Sequence, residues 1–275
     1  TGAAGLEEEV EKCFMGLPEW CKSPTQTVNY ASCHDNLTLM DRIAGGTPAA
    51  KREDHIKMNN LAAAIYMTSQ GIPFLQAGEE MLRTKVDSDG EFVENSYASP
   101  DEVNSIKWAT LEEEEYARVF EYYKGLIAFR KAHGALRLTD AEEVRTHVAA
   151  VDGLEPNVTA FSIQGGVNGE TAEELFVIFN PNTKETRVQL PEGTWKVCIN
   201  GEQAGTDTIE TITTGTAKVS PISALVLVKA EAAEPSKKAA ETAKPEKNKS
   251  RTVGIVAAVA VVGAVIAGIF HNRKK

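Results

Sequence analysis

Cysteine is scarce in this sequence: Cys13, Cys21, Cys33 and Cys198 are irregularly spaced and include no CxxC pair. That excludes a zinc set and supplies no regular disulfide framework, so cysteine usage does not fix the redox compartment. Basic residues are outnumbered, with 29 Lys and Arg against 39 Asp and Glu, for a net charge of −10. The imbalance is sharper over residues 1–229, which hold 20 basic and 35 acidic residues, because residues 230–275 hold nine and four. A body so acidic repels phosphate backbones; nucleic acid is excluded as a partner and neutral polymers remain. HExxH and similar spacings are absent, which argues against a catalytic metal. No basic and apolar leader opens the chain at TGAAGLEEEV, and the reading is of a cut N-terminus. An LPxTG-like wall-sorting motif is also missing; the string LPEGT at 190–194 has the wrong order and reads as a turn.

What is present is the composition of a folded protein, 42% apolar and 25% charged, in 275 residues, a length that suggests about two domains. Residues 1–134 alternate helix and strand. Helical spacing marks Leu6–Met15, Asp54–Ser69 and Leu111–Lys131; short β-rich runs mark Thr27–Ser32 and, after the Gly71-Ile-Pro73 break, Phe74–Ala77. Four glutamates at Glu112–Glu115 suit the positive end of the third helix. The βαβα order predicts part of a parallel-sheet α/β fold. Two strands cannot close such a sheet, since a (β/α)8 barrel takes about 250 residues.

From about Leu136 the period becomes two. Strands are expected at Val144–Val151, Val158–Gln164, Leu175–Asn180, Glu185–Leu190, Thr194–Ile199, Thr208–Thr213 and Ala224–Val228, separated by turn signals such as Glu-Pro-Asn and Asn-Pro-Asn. This predicts an antiparallel β-sandwich over 135–229. Residues 230–252, rich in Ala, Lys, Glu and Pro, cannot form a core and read as a disordered linker. The unbroken run VGIVAAVAVVGAVIAGIF at 253–270 is about 27 Å long as a helix, enough for a membrane span, and the basic tail at 271–275 reads as cytoplasmic. The expected localisation is a single-pass cell membrane protein with its body outside.

The stretch VNYASCHDNLTL at 28–39 ends a strand in adjacent imidazole, carboxylate and amide groups, where a barrel gathers its active site. On residue type alone, His34 and Asp35 also suit a structural hydrogen-bonded pair. Cys33 and His34 make a poor thiol and base, because neighbours on a strand point to opposite sides. The stretch resembles the last short motif of the α-amylase superfamily, glycoside hydrolase family 13, and more narrowly the type I pullulanases. GIPFLQAGEEMLRTK at 71–85 is similar to the family's eighth barrel strand and loop, and ENSYASPDEVNSIKW at 94–108 to the pullulanase loop that follows. The resemblance covers about residues 20–229.

The resemblance implies the C-terminal part of the catalytic (β/α)8 barrel at 1–134 followed by the β-sandwich, and an enzyme hydrolysing α-1,6-glucosidic bonds of pullulan, starch or glycogen with retention. Its nucleophile and acid/base would lie on earlier strands, leaving this piece alone inactive. It implies that Asp35 stabilises the oxocarbenium-like transition state, that His34 donates to a hydroxyl of the same sugar, and that Asn95 and Tyr97 contact substrate. Glu79 and Glu80 would support the barrel rim. No cofactor is implied, although the family leaves a structural calcium open. Trp108 and Trp195 read as packing residues. Two alternatives stay open, another family 13 hydrolase with α-1,4 specificity and a non-catalytic, membrane-tethered glucan-binding module.

Overall fold

The computed structural model describes residues 5–17, 20–213 and 215–229. The chain divides into two units, Thr1–Ala232 and Ala233–Lys275; the expected linker, span and tail lie outside the described residues. Among the described residues no helix is long and apolar enough to cross a membrane.

Helices α1 (Glu7–Met15), α2 (Leu39–Gly46), α3 (Arg52–Thr68), α4 (Asp101–Asn104) and α5 (Glu114–Ala132) fall in the first half, with α6 (Ala141–His147) at the join. Strands β1 (Val28–Asn29) and β2 (Ile72–Pro73) form a parallel pair in which Val28 faces Ile72 and Asn29 faces Pro73. The expected strand Phe74–Ala77 is therefore replaced by one two residues earlier. Pro73 has no N–H to give, but the Phe74 amide donates to Asn29 O at 2.9 Å and keeps the pairing. The expected strand Val144–Val151 is also corrected. Its first half is helical because Asp140 caps α6, accepting from the amides of Glu142 and Glu143 at 2.8 and 3.1 Å, and only Val148–Ala150 is strand β3.

The other strands are β4 (Thr159–Gln164), β5 (Glu174–Asn180), β6 (Thr186–Gln189), β7 (Trp195–Ile199), β8 (Glu210–Ile212), β9 (Thr216–Val219) and β10 (Ser223–Lys229). An antiparallel six-stranded sheet runs β3-β4-β5-β10-β7-β8, and β6 pairs with β9 in a separate two-stranded sheet. Every residue of β5 is buried. Its alternation assigns the two faces: Leu175, Val177 and Phe179 pack among the helices, while Phe176 and Ile178 pack against Val188, Ala217 and Val219 of the small sheet. The sandwich thus has a third, helical layer, and the two expected segments share one core. Trp195 is buried, edge-on to Phe176 at 5.7 Å, with its Nε1 donating to Pro191 O at 2.9 Å.

Three features join the halves. Phe14 of α1 stacks on Phe161 of β4 with ring centroids 3.7 Å apart. Buried Gln70 donates from its side chain to Ala135 O at 2.7 Å and accepts from the Leu138 amide at 3.1 Å. Gly125 brings α5 so close to the turn after β7 that a Cβ there would lie 1.9 Å from Ala204 O. Only glycine allows that approach, which accounts for a residue of poor helix propensity in mid-helix. Buried Arg130 closes the turn after α3, donating to the carbonyls of Met67, Ser69 and Gly71 at 2.9, 2.7 and 2.7 Å. Burial, with the nearby Arg137 charge, lowers its pKa to about 10.

Candidate active site

Beyond β1 the chain turns through Ala31–Leu37, with Asn36 in the left-handed region (φ 63°), and re-enters helix at α2, where Thr38 accepts from the Asp41 amide at 3.1 Å. The turn puts His34 and Asp35 in solvent, their side chains 87% and 74% exposed, with Nε2 3.4 Å from Oδ2. Cys33 Sγ turns away to Asp35 O at 3.9 Å. Beyond β2, the segment to Lys85 runs beneath this tip. The loop from Glu94 to Asn104 then folds back over it, pinned by Asn104, whose Nδ2 donates to Ser96 O at 2.6 Å and Ser99 O at 3.0 Å, and by Arg83, which donates to Asn104 O.

These segments enclose a cleft of about 290 Å³. His34, Asp35, Asn95 and Tyr97 all line it, so the four residues expected from sequence are brought together although they span more than sixty positions. Tyr97 presents its ring to solvent, 88% exposed, available for stacking on a flat apolar face. Gln76, Arg83, Lys85, Glu94, Ser96 and Asn104 complete the wall and were not singled out by sequence reasoning. Trp108, expected in packing, stands 62% exposed on a 3-10 turn, Trp108–Glu112, and is corrected to a surface residue.

Behind the cleft lies a buried polar shell. Glu79 accepts from Ser32 Oγ at 2.5 Å, Tyr66 Oη at 3.0 Å and the Gln76 amide at 3.3 Å, tying the ends of β1 and β2 to α3. Burial raises its pKa despite these bonds. Asp41 accepts from the Lys85 amide at 2.8 Å, and burial pushes its pKa up as well. Lys85 is shifted down, by burial and by the Arg83 charge. Among the described residues no group of three or more His, Cys, Asp or Glu could hold a metal ion. The cleft offers a carboxylate, an imidazole, amides, cations and one exposed ring. That set suits a neutral polyhydroxylated ligand better than an apolar one.

Residues 144–203 match the family model described as the pullulanase all-beta domain. Pullulanase of Bacillus subtilis is 31% identical over 168 residues, 61% of this chain and 22% of that protein. Among solved structures, the pullulanase from Bacillus acidopullulyticus superposes with a TM-score of 0.77 at 33% identity, over 83% of this chain and 27% of that one. The chain is related to pullulanases. The pullulanase from Paenibacillus barengoltzii, crystallised with maltohexaose and α-cyclodextrin, gives a TM-score of 0.73 at 36% identity over 84% of this chain and 35% of its own. The chain thus spans about a fifth of the Bacillus subtilis relative, and its helices and antiparallel sheet resemble pullulanase domains.

Proposed function

We propose that this chain is the C-terminal part of a cell-surface α-glucan debranching enzyme that hydrolyses α-1,6-glucosidic linkages with retention. The observation that carries the reading is the convergence of His34, Asp35, Asn95 and Tyr97 on one cleft beyond the ends of the parallel pair β1–β2. Parallel strands are ordinarily buried on both sides. Here Val28, Tyr30, Ile72 and Phe74 stay exposed, as two strands of a larger barrel would be when seen without their neighbours.

In this reading Asp35 accepts hydrogen bonds from hydroxyls of the reacting sugar that strengthen as its ring flattens toward the oxocarbenium ion. His34 donates to the same sugar, Asn95 reads a hydroxyl, and Tyr97 stacks on a neighbouring glucose. The nucleophile and the acid/base come from barrel strands outside this chain, which alone is inactive. The apolar run 253–270 anchors the protein in the cell membrane with its body outside, where a polymer too large to import is cut.

The test is pullulan hydrolysis by the intact protein that carries this chain, with the linkage of the products determined. Release of maltotriose through α-1,6 cleavage is expected. Cleavage at α-1,4 bonds would move the protein to another family 13 specificity, and binding without turnover would leave a tethered glucan-binding module. Asp35→Asn is expected to lower kcat by roughly 10²–10³-fold, the scale on which one group stabilising transition-state charge acts, with an unchanged melting curve. Normal turnover would remove Asp35 from the reaction.

A further inference from the structure

Lys85 is 3% exposed, yet its side chain reaches the wall of the cleft. It makes three bonds to three separate segments. Its amide donates to Asp41 Oδ2 on α2 at 2.8 Å, its carbonyl accepts from the Val93 amide at 2.8 Å just before Glu94 and Asn95, and its Nζ donates to His34 O at 3.2 Å. One residue therefore meets both walls of the cleft and the helix that starts behind the tip.

We propose that Lys85 is the positioning residue of the site, fixing the His34–Asp35 tip from below. The carbonyl it holds belongs to the peptide joining these two residues. Rotation of that peptide would swing Asp35, whose own side chain has only an exposed ion pair to restrain it. A charged donor on a buried stem is a stronger tether than a neutral one. Burial and the Arg83 charge oppose the ammonium and lower its pKa, against the weaker attraction of Asp41, Asp35 and Cys33; the tether stands on the hydrogen bond to His34 O. The effect on turnover rests on the functional reading given above; the tether itself does not.

The experiment uses the full 275-residue chain in detergent and follows by NMR the backbone amide of Asp35, which shares its peptide with the carbonyl Lys85 holds. Lys85→Met is expected to lower the order parameter of that amide from the rigid value of about 0.85 to below about 0.6. Lys85→Arg, which keeps a charged donor, should restore most of it. An unchanged order parameter in a folded Lys85→Met chain would overturn the proposal.

Should Lys85→Met not fold, the wild-type chain decides. A tethered Lys85 ammonium shows slowly exchanging protons and a coupling across to the His34 carbonyl carbon, whereas a freely exchanging ammonium overturns the tether. In the intact protein, Lys85→Met is expected to lower kcat about 10²-fold, as a misplacement of about 1 Å does, with KM changed less than about threefold. If the NMR result holds while the wild-type protein leaves pullulan uncut, the tether stands and the debranching reading falls.

Discussion

The two ends of the described chain handle their backbones differently. The six-stranded sheet is covered on both faces, and its central β5 has no exposed residue. The parallel pair β1–β2 carries open edges and four exposed apolar side chains, Val28 52%, Tyr30 55%, Ile72 47% and Phe74 43%. The first region covers its own apolar surface; the second leaves apolar surface open, and it is the second that holds the candidate site. Charge follows the same division. Glu170, at the join, has its pKa lowered: burial raises it, but His133 at 3.1 Å and the amides of Ala172 and Ala135 outweigh that. Glu79 and Asp41, behind the cleft, are raised by burial. The site end carries carboxylates whose charged forms its own surroundings disfavour, as functional sites often do.

The comparison can be broken most directly at the sheet. Phe161→Ala removes a fully buried ring stacked on Phe14 and is expected to cost about 3–5 kcal/mol in chemical denaturation. Gly125→Ala should cost roughly 1–3 kcal/mol, because the new methyl meets the Ala204 carbonyl rather than a side chain that can turn aside. A thermal melt equal to wild type would mean that α5 does not fix the turn after β7.

A third test uses pH. Glu170 has a folded pKa below its unfolded value, so its contribution is present above about pH 4.5 and is lost as pH falls through the folded value. Glu79 has the opposite sign: it favours the folded state at low pH, and that contribution is lost as pH rises through its raised value. Glu170→Gln should flatten the acid side of the stability profile and Glu79→Gln the side above it; identical profiles would erase the distinction between the regions. The smallest effect belongs to the open pair. Ile72→Thr is expected to change the stability of this chain by no more than about 0.5 kcal/mol, while weakening any assembly that covers β2. A large loss in the isolated chain would show that β2 is already in a core.

Leu175–Asn180 and Ala224–Val228 were legible as short apolar runs bounded by turn signals, because strands covered on both faces are apolar throughout. The helices α3 and α5 were readable from their helical spacing. Where a local cap competed with the period, the period misled: Val144–His147 alternates like a strand, but Asp140 satisfies a helix start. The strand β9 and the helix α2 were missed. Two-residue strands such as β1 and β2 leave no period to read, so Pro73 was taken as a breaker rather than a strand residue. At the site, the expected residues came from short strings, which report side chains that meet a ligand. Lys85, Arg83 and Asn104 act on main-chain carbonyls, and nothing in a lysine, arginine or asparagine announces which carbonyl it will find.

The stacking of Phe14 on Phe161 also sets an order of events during synthesis. Helix α1 leaves the ribosome before the sheet, and the face that receives it is complete only after β5 and then β10 have followed. At about 5–20 residues per second that interval is on the order of ten seconds or more. During it, α1, α3 and α5 hold apolar faces with no sheet to cover them. Slower translation across residues 160–226 would lengthen that exposure rather than help the chain fold.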